Sequence, residues 1–234
     1  MIAEKLTAVA ENVPQVYAAG QKSEYDRFWD AFQRNGELTN YTHAFAGTCW
    51  TAENLRPKYP VRPAGWIERM FFKNQLAEPL ANGEFDFSQA IDCRYMFAEA
   101  AAERIGFIDL SGCNELVYPF YYLPFLHTID TLKLRNDGTQ TFTQDWMYTE
   151  ALEHIAIDGK IGNDVSFRLC PKLSRASIES IVAALSSAAS GKTLTLKQVA
   201  VDNAFGDGSA FSGTDGPEWG ELIETRSNWT IALV

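Results

Sequence analysis

Several short stretches of this chain carry residue types that do chemistry elsewhere, and their spacing decides what each can do. Ser190-Gly191-Lys192-Thr193 reads like the end of a phosphate-binding loop. That motif needs a glycine where Ser186 stands, and a strand–loop–helix order, whereas here the helical pattern comes first and the strand pattern second. His43, His127 and His154 show no HExxH or other metal-ligand spacing. Cys49, Cys93, Cys113 and Cys170 are separated by 44, 20 and 57 residues, so there is no local pair to build a zinc site, and they read as small buried residues. Asp202, Asp207 and Asp215 lie in or beside a Gly-rich segment, 202–216, but the alternating acids and terminal Glu of a calcium loop are missing, and a solvated loop is expected. No G-x-S-x-G elbow is present to present a nucleophilic serine. The expectation is a protein with no catalytic residues, no metal and no cofactor, hence not an enzyme.

The aromatic residues are the stronger signal. Tyr118-Pro-Phe-Tyr-Tyr-Leu-Pro-Phe125 holds five aromatics in eight positions, and the chain has 15 Phe, 9 Tyr and 6 Trp. Phe120 belongs inside by the repeat argued below, so Tyr121 and Tyr122 cannot both share its direction. A tyrosine left at the surface offers an apolar body and a polar tip to a partner. Tyr95, Tyr118 and Trp146 form one column, each two residues before an aromatic anchor, and are expected to turn outward. The binding residues expected from sequence are therefore Tyr95, Tyr118, Tyr121, Tyr122 and Trp146.

These positions need elements to hold them, and a repeat supplies the elements. Thr42-His-Ala-Phe45, Glu68-Arg-Met-Phe71, Arg94-Tyr-Met-Phe97, Val117-Tyr-Pro-Phe120 and Asp145-Trp-Met-Tyr148 each end in an aromatic, at spacings of 26, 26, 23 and 28. A second column precedes it: Tyr59/Val61, Phe85/Phe87, Ile108/Leu110 and Leu132/Leu134. The last pair is displaced by four residues, which the turn Asn136-Asp-Gly-Thr139 accounts for. A third aligns Asp109-Leu-Ser-Gly-Cys113 with Ser166-Phe-Arg-Leu-Cys170 and with Asp86-Phe-Ser-Gln-Ala90. Leu132-Lys-Leu134 recurs as Ile155-Ala-Ile157, and Thr193-Leu-Thr-Leu196 reads as a last rung. Period-two pairs point a short strand's apolar side to one face, and a unit of 23–28 residues buries that side only by stacking on neighbours. The expected fold is an α/β leucine-rich-repeat solenoid with a ladder of short parallel strands at residues 85–87, 108–110 and 132–134, closed by a helical N-terminal cap and a C-terminal helix/strand cap.

Composition agrees and removes several function classes. The 234 residues are 46% hydrophobic, with 20 Lys and Arg against 30 Asp and Glu, a formal net charge of −10. Such an acidic chain is a poor match for nucleic acid or an anionic membrane. No apolar run reaches the roughly 18–20 residues of a membrane span. Glu4 and Lys5, then Glu11, Asn12 and Pro14, break up any apolar signal segment, so a cytoplasmic or virion-associated location is expected over export through the general secretory route.

The run Ile108-Asp-Leu-Ser-Gly-Cys113-Asn-Glu-Leu116 and the Met-Phe and Pro-Phe anchors resemble the degenerate leucine-rich repeats of the BspA-like type, in particular a group common in gut Firmicutes and their prophages. The N-terminal stretch from Glu4 to Tyr17, the segment from Ser23 to Asp30 and the ending Ser227-Asn-Trp-Thr-Ile-Ala-Leu-Val234 add to the resemblance, which covers essentially the whole chain. It implies a solenoid with a binding or structural role and no catalytic residues. Aromatics replace leucine at many positions.

The resulting division is an N-terminal helical cap at 1–40, a leucine-rich-repeat-like solenoid at 41–200 and a C-terminal cap at 201–234. Ile2, Leu6, Val9, Val13 and Val16 make an amphipathic stripe suited to self-association. Ser23 with Asp26 starts a second helix that Asn35-Gly36 stops. Residues 174–189 read as a longer helix with Ile178, Ile181, Val182 and Leu185 on one face and Gly191 as its C-cap, and residues 229–234 as an edge strand. The function this reading expects is a non-enzymatic interaction module for a protein or carbohydrate ligand. The alternative is a structural accessory protein of a phage-like particle, docked through its N-terminal helix.

Overall fold

The computed structural model describes residues 41–50, 61–63, 65–76, 79–81, 84–143, 146, 148–206 and 218–234. The stripe Ile2, Leu6, Val9, Val13 and Val16, the N-terminal cap at 1–40, and Asp207 and Asp215 lie outside them. In chain order the elements are β1 (Cys49–Trp50), β2 (Gln75–Leu76), β3 (Ala101–Ala102), β4 (Arg104–Asp109), β5 (Glu115–Val117), β6 (Thr128–Lys133), β7 (Thr141–Thr143), β8 (His154–Asp158), β9 (Val165–Phe167), α1 (Arg175–Ala184), β10 (Lys192–Leu196), α2 (Gln198–Phe205), α3 (Trp219–Glu224) and β11 (Trp229–Leu233).

The strands form short ladders of order β1-β2-β3, β4-β6-β8, β5-β7 and β11-β10-β9, and each of these pairs is parallel. Parallel neighbours one coil apart in sequence are what a repeat solenoid requires, and the chain makes about four turns of one. Ile108 pairs with Leu132, as the period-two columns require. Two details differ from the sequence expectation. Residues 85–87 do not form a strand, and Phe85 makes only an isolated parallel bridge to Val61, although both Phe85 and Phe87 are buried. Leu132 is level with Ile157, not Ile155, because a bulge shifts the register between Ile129 and Leu132.

Inside the coils the anchors stack into one aromatic ladder. Phe45, Phe71, Phe97, Phe120, Trp146 and Phe167 follow one another at centroid separations of 5.4, 5.0, 6.0, 5.0 and 4.8 Å with nearly parallel planes. The five Phe rings are fully buried and Trp146 is 3% exposed. The sequence register is thus two residues out in this unit. Trp146 is the anchor, and Tyr148, 41% exposed, is not. Trp146 is accordingly withdrawn from the outward column. The residue three beyond the anchor supports the corrected register. Thr48, Asn74 and Thr149 follow Phe45, Phe71 and Trp146 at that spacing, and all three are buried. Thr48 Oγ1 donates to Phe45 O and Thr149 Oγ1 to Trp146 O, both at 2.8 Å, while Asn74 Nδ2 donates to Phe45 O in the neighbouring coil at 3.0 Å.

The corners between faces are Asx turns. Asp86, Asp109 and Asp137 each accept from the backbone N–H two residues on, at Ser88, Ser111 and Thr139, at 2.9–3.1 Å. The repeated Asp-x-Ser/Thr of the sequence columns is this turn. Coil-to-coil approach is tightest at Gly106 in β4, where a Cβ would lie 1.7 Å from Leu80 O, so only glycine fits.

Toward the C-terminal end, α1 lies along the outer edge of the β4-β6-β8 sheet. Its Ser177 and Ser180 hydroxyls accept from Ile155 N (2.9 Å) and Ile157 N (2.8 Å), filling hydrogen bonds that another strand would make. Ser174 caps the helix by accepting from Ser177 N. Ile178, Ile181, Val182 and Leu185 are buried as their spacing predicts. The helix is shorter than expected, however. It ends at Ala184, and Leu185 turns extended and bridges Ile161 in parallel, adding a rung. Gly191 therefore does not cap it; at φ 64° it makes the turn into β10. That turn is the Ser-Gly-Lys-Thr segment, with Thr193 N donating to Asp164 at 2.7 Å. Residues 229–233 form the edge strand β11. Among the described residues no helix is long and apolar enough to cross a membrane.

Candidate binding face

The outward column arises from an unusual backbone. In the segments 41–48, 67–74 and 93–100, and in part at 118–126, the chain runs through successive β-turns in which alternate N–H groups bond within the coil and across to the next coil. Met96 N donates to Cys93 O and Ala98 N to Tyr95 O, while Tyr95 N reaches Val117 O, Phe97 N reaches Pro119 O and Glu99 N reaches Tyr121 O. Every peptide group in the run is thereby used. The geometry places non-glycine residues in the left-handed region: Arg69 and Lys73, Tyr95 and Glu99, Tyr118 and Tyr122, and His43 and Tyr148, at φ 51–60°. A left-handed L-residue costs about 1–2 kcal/mol. Parallel hydrogen bonds from the neighbouring coils hold it there, and the reversal of handedness swings its side chain away from the anchor. This is why residues two apart in one chain segment take opposite fates.

Of the expected binding residues, Tyr95, Tyr118, Tyr121 and Tyr122 come together on this side. Tyr95 and Tyr118 stack at 5.1 Å with planes 5° apart, and Tyr121 sits edge-on to both at 6.5 and 5.4 Å. Tyr121 then meets Tyr122 at 6.3 Å and Tyr148 at 5.8 Å, and Tyr122 meets Tyr148 at 5.8 Å. Trp146, buried in the ladder, is not among them. Tyr148 takes the outward place assigned to Trp146, and Phe125, 62% exposed, stands out on the same stretch of turns as Tyr122. Arg69 extends the row. Its guanidinium lies 4.9 Å from the Tyr95 ring centroid and 6.0 Å from that of Phe72, with Lys73 Nζ over the same Phe72 ring at 5.1 Å. The cations are balanced locally, Arg69 by Glu68 at 2.6 Å and Lys73 by Glu99 at 3.4 Å. The surface is aromatic, hydroxylated and close to neutral.

The residues whose types could do chemistry are dispersed. Cys93, Cys113 and Cys170 are buried free thiols, and burial pushes Cys170 up to about 12, which keeps it protonated and unreactive. His127 Nδ1 faces Glu153 at 3.3 Å, and His154 Nδ1 faces Ser174 Oγ at 3.1 Å, a hydroxyl already engaged in capping α1. Asp202 lies on α2 and accepts from Gln198. Among the described residues there is no cluster of three His, Cys, Asp or Glu that could hold a metal ion. Sequence reasoning missed Tyr148 through the register error. It missed Arg69, although Arg69 sits in the same column as Tyr95 and Tyr118, because that column was read for aromatics alone.

No protein-family model, curated protein or solved structure matches this chain.

Proposed function

We propose that this chain is a non-enzymatic interaction module of the leucine-rich-repeat type, BspA-like in its repeats, whose turn-side tyrosines bind a ligand. The observation that carries the reading is the continuous row Tyr95, Tyr118, Tyr121, Tyr122 and Tyr148, in which all but Tyr121 are turned outward by left-handed backbone beside the stacked ladder. Backbone strain outside the core is kept where the surrounding structure over-determines it, and such positions cluster at functional surfaces. Tyrosines are also the residues that supply large contact area at low entropic cost in recognition surfaces.

Between the two ligand classes expected from sequence, the ring geometry favours protein at this face. Tyr95 and Tyr118 cover one another's faces, and Arg69 lies over the Tyr95 ring. What remains outward is ring edges and hydroxyls, which suit the mixed polar and apolar surface of a polypeptide. The test is selection of random peptides displayed on phage against the immobilised full-length chain. The expected result is an enriched set whose affinity falls at least tenfold in the Tyr121→Ser/Tyr122→Ser/Tyr148→Ser triple variant. An enrichment insensitive to that triple variant, or none at all, would sink the reading.

A further inference from the structure

A second face of the same coils carries a groove with different chemistry. Its volume is about 350 Å³, at the small end for ligand sites, and it shares no residue with the tyrosine row. Its apolar part is Trp66, Ile91 and Val117. Trp66 is 47% exposed and Ile91 51%, unusual for residues whose chain neighbours Ile67 and Ala90 are fully buried. Parallel pairing explains the direction. Trp66 bridges Asp92 between adjacent coils, and alternation sends Trp66 outward where it sends Ile67 inward. The Trp66 indole stacks on no other ring among the described residues and is 47% exposed, in contrast to Tyr95 and Tyr118, which stack on each other.

The polar part is made of planar groups. Arg94 is held by Asp92 through three contacts of 2.7–3.0 Å and reaches Glu68 at 3.5 Å, using Nε and Nη2. These carboxylates raise the guanidinium further above its ordinary value, and Nη1 makes no hydrogen bond among the described residues. The exposed Asn114 carboxamide likewise has no side-chain partner there, and Glu115 has only a long contact of 3.4 Å from Thr143 Oγ1. The lining comes from three successive coils. With neighbouring strands about 4.8 Å apart, the polar and apolar groups extend over about 10 Å along the stack.

We infer that this groove is a binding site for a neutral saccharide, with Trp66 as its stacking platform and Asn114, Glu115 and Arg94 Nη1 as its hydroxyl partners. A sugar ring presents a face of C–H groups, which a half-exposed indole with no ring stacked on it complements, and a rim of hydroxyls, each able to donate and accept. A carboxamide, a carboxylate and a guanidinium N–H in one groove supply both acceptors and donors. The charge balance selects against anions. Arg94 is already matched by Asp92 and Glu68, and Glu115 adds a further negative charge, so an anionic sugar or a phosphate would meet repulsion. The volume leaves room for roughly one or two sugar rings, with a longer chain continuing along the coils. This inference is independent of the tyrosine row, and in its test a peptide serves only as a control.

The experiment is calorimetric titration, supported by saturation-transfer NMR, of the full-length chain with neutral gluco-, galacto-, manno- and N-acetylglucosamine oligosaccharides. Two controls accompany it, a uronic-acid oligomer and a lysine-rich peptide. Saturable binding of at least one neutral series is expected. It should weaken tenfold or more in Trp66→Ala, less in Trp66→Phe, and severalfold in Asn114→Ala. Asn114 is exposed and Trp66 half-exposed, and the unfolding midpoint of each variant shows whether a loss of binding reflects a loss of fold. Asn114→Ala keeps the question open to decision if Trp66→Ala does not fold. Absence of binding by every neutral series would overturn the proposal. So would binding that survives both Trp66→Ala and Asn114→Ala in folded protein, or tighter binding of the uronic-acid oligomer or the peptide through these same residues.

Discussion

Phe97 and Tyr95 stand two residues apart in the same turn, and both are aromatic, yet one is fully buried and the other is partly exposed. The same division repeats between Phe71 and Arg69, and between Phe120 and Tyr118. Side-chain chemistry does not make this choice, because Phe and Tyr differ only by a hydroxyl. The backbone makes it. The anchor has ordinary negative φ, and the residue two before it is left-handed. The inner ladder therefore bears on stability, the outer row on the recognition proposed for it, and substitutions on the two sides should separate these properties.

The largest effect is expected on the ladder. Phe97→Ala removes a ring stacked on both Phe71 and Phe120 and should cost about 3–5 kcal/mol by chemical denaturation. Trp146→Ala should cost the same, as its place in the ladder requires and contrary to the sequence expectation that Trp146 turns outward. Trp146→Phe sharpens the point. The Trp146 Nε1 has no hydrogen-bond partner among the described residues, so phenylalanine loses no bond there and restores the ring type of the other five positions. A cost under about 1.5 kcal/mol is expected, and a cost matching that of Trp146→Ala would show that the indole has a partner role the ladder does not explain.

Next in size is the close approach of two coils. Gly106→Ala would drive a methyl into Leu80 O, and a loss of about 3 kcal/mol or more is expected, together with disruption of the β4-β6 pairing detectable by amide exchange. A neutral Gly106→Ala would mean that the coils can slide apart, and the rigid presentation of the outer row would lose its basis.

How far the sequence made this visible follows from what each pattern depends on. Burial imposes periodicity, so Phe71, Phe97 and Phe120 and the Ile108–Leu132 pairing were readable from spacing. The insertion around Asn136-Asp-Gly-Thr139 left two aromatics, Trp146 and Tyr148, equally placed for the anchor. Only the small polar residue at +3, Thr149 in line with Thr48 and Asn74, distinguishes them. The left-handed positions were not readable, because the signal sought for such backbone is Gly or Asn, and here Arg, Lys, Tyr, Glu and His fill it. Trp66 was invisible for a related reason: an outward residue follows no core pattern, and its surroundings come from coils about 26 and 50 residues away in sequence.

A moderate, pH-dependent effect is expected at the corner between β4 and the following turn. Asp109 is nearly buried. Burial pushes its carboxyl up, but hydrogen bonds from Lys133 Nζ at 2.8 Å and from the Ser111 hydroxyl and N–H outweigh this and hold it below the ordinary carboxylate range. Lys133 is raised in turn, chiefly by its hydrogen bond to Asp109. The lowered Asp109 stabilises the fold above its unfolded pKa of about 3.9, and that contribution is lost as pH falls through the lower folded value. The raised Lys133 contributes below about pH 10.4, and this is lost as pH rises through the higher folded value. Asp109→Asn should therefore lower the melting temperature at neutral pH, and the gap to the parent should close toward acid. A gap constant from pH 7 to pH 2 would show that the turn geometry, not the charge, is what Asp109 contributes.

The smallest effect tests the outer side of the comparison most directly. Tyr122 is left-handed at φ 54°, 49% exposed, and among the aromatic rings of the described residues touches only Tyr121 and Tyr148. Replacement by glycine removes those contacts and also removes the left-handed penalty, since glycine adopts that region freely, while adding entropy to the unfolded chain. These contributions oppose one another, so Tyr122→Gly should change stability by no more than about 1 kcal/mol in either direction. Tyr122→Ala keeps the penalty and loses the contacts, and should be the less stable of the two. That order has a physical reading. If alanine proves more stable than glycine, the turn does not hold Tyr122 under strain, and the row owes its outward direction to ring packing alone. If glycine is the more stable while peptide binding is lost in both variants, the tyrosine is kept at some cost to the fold, as a residue serving recognition would be.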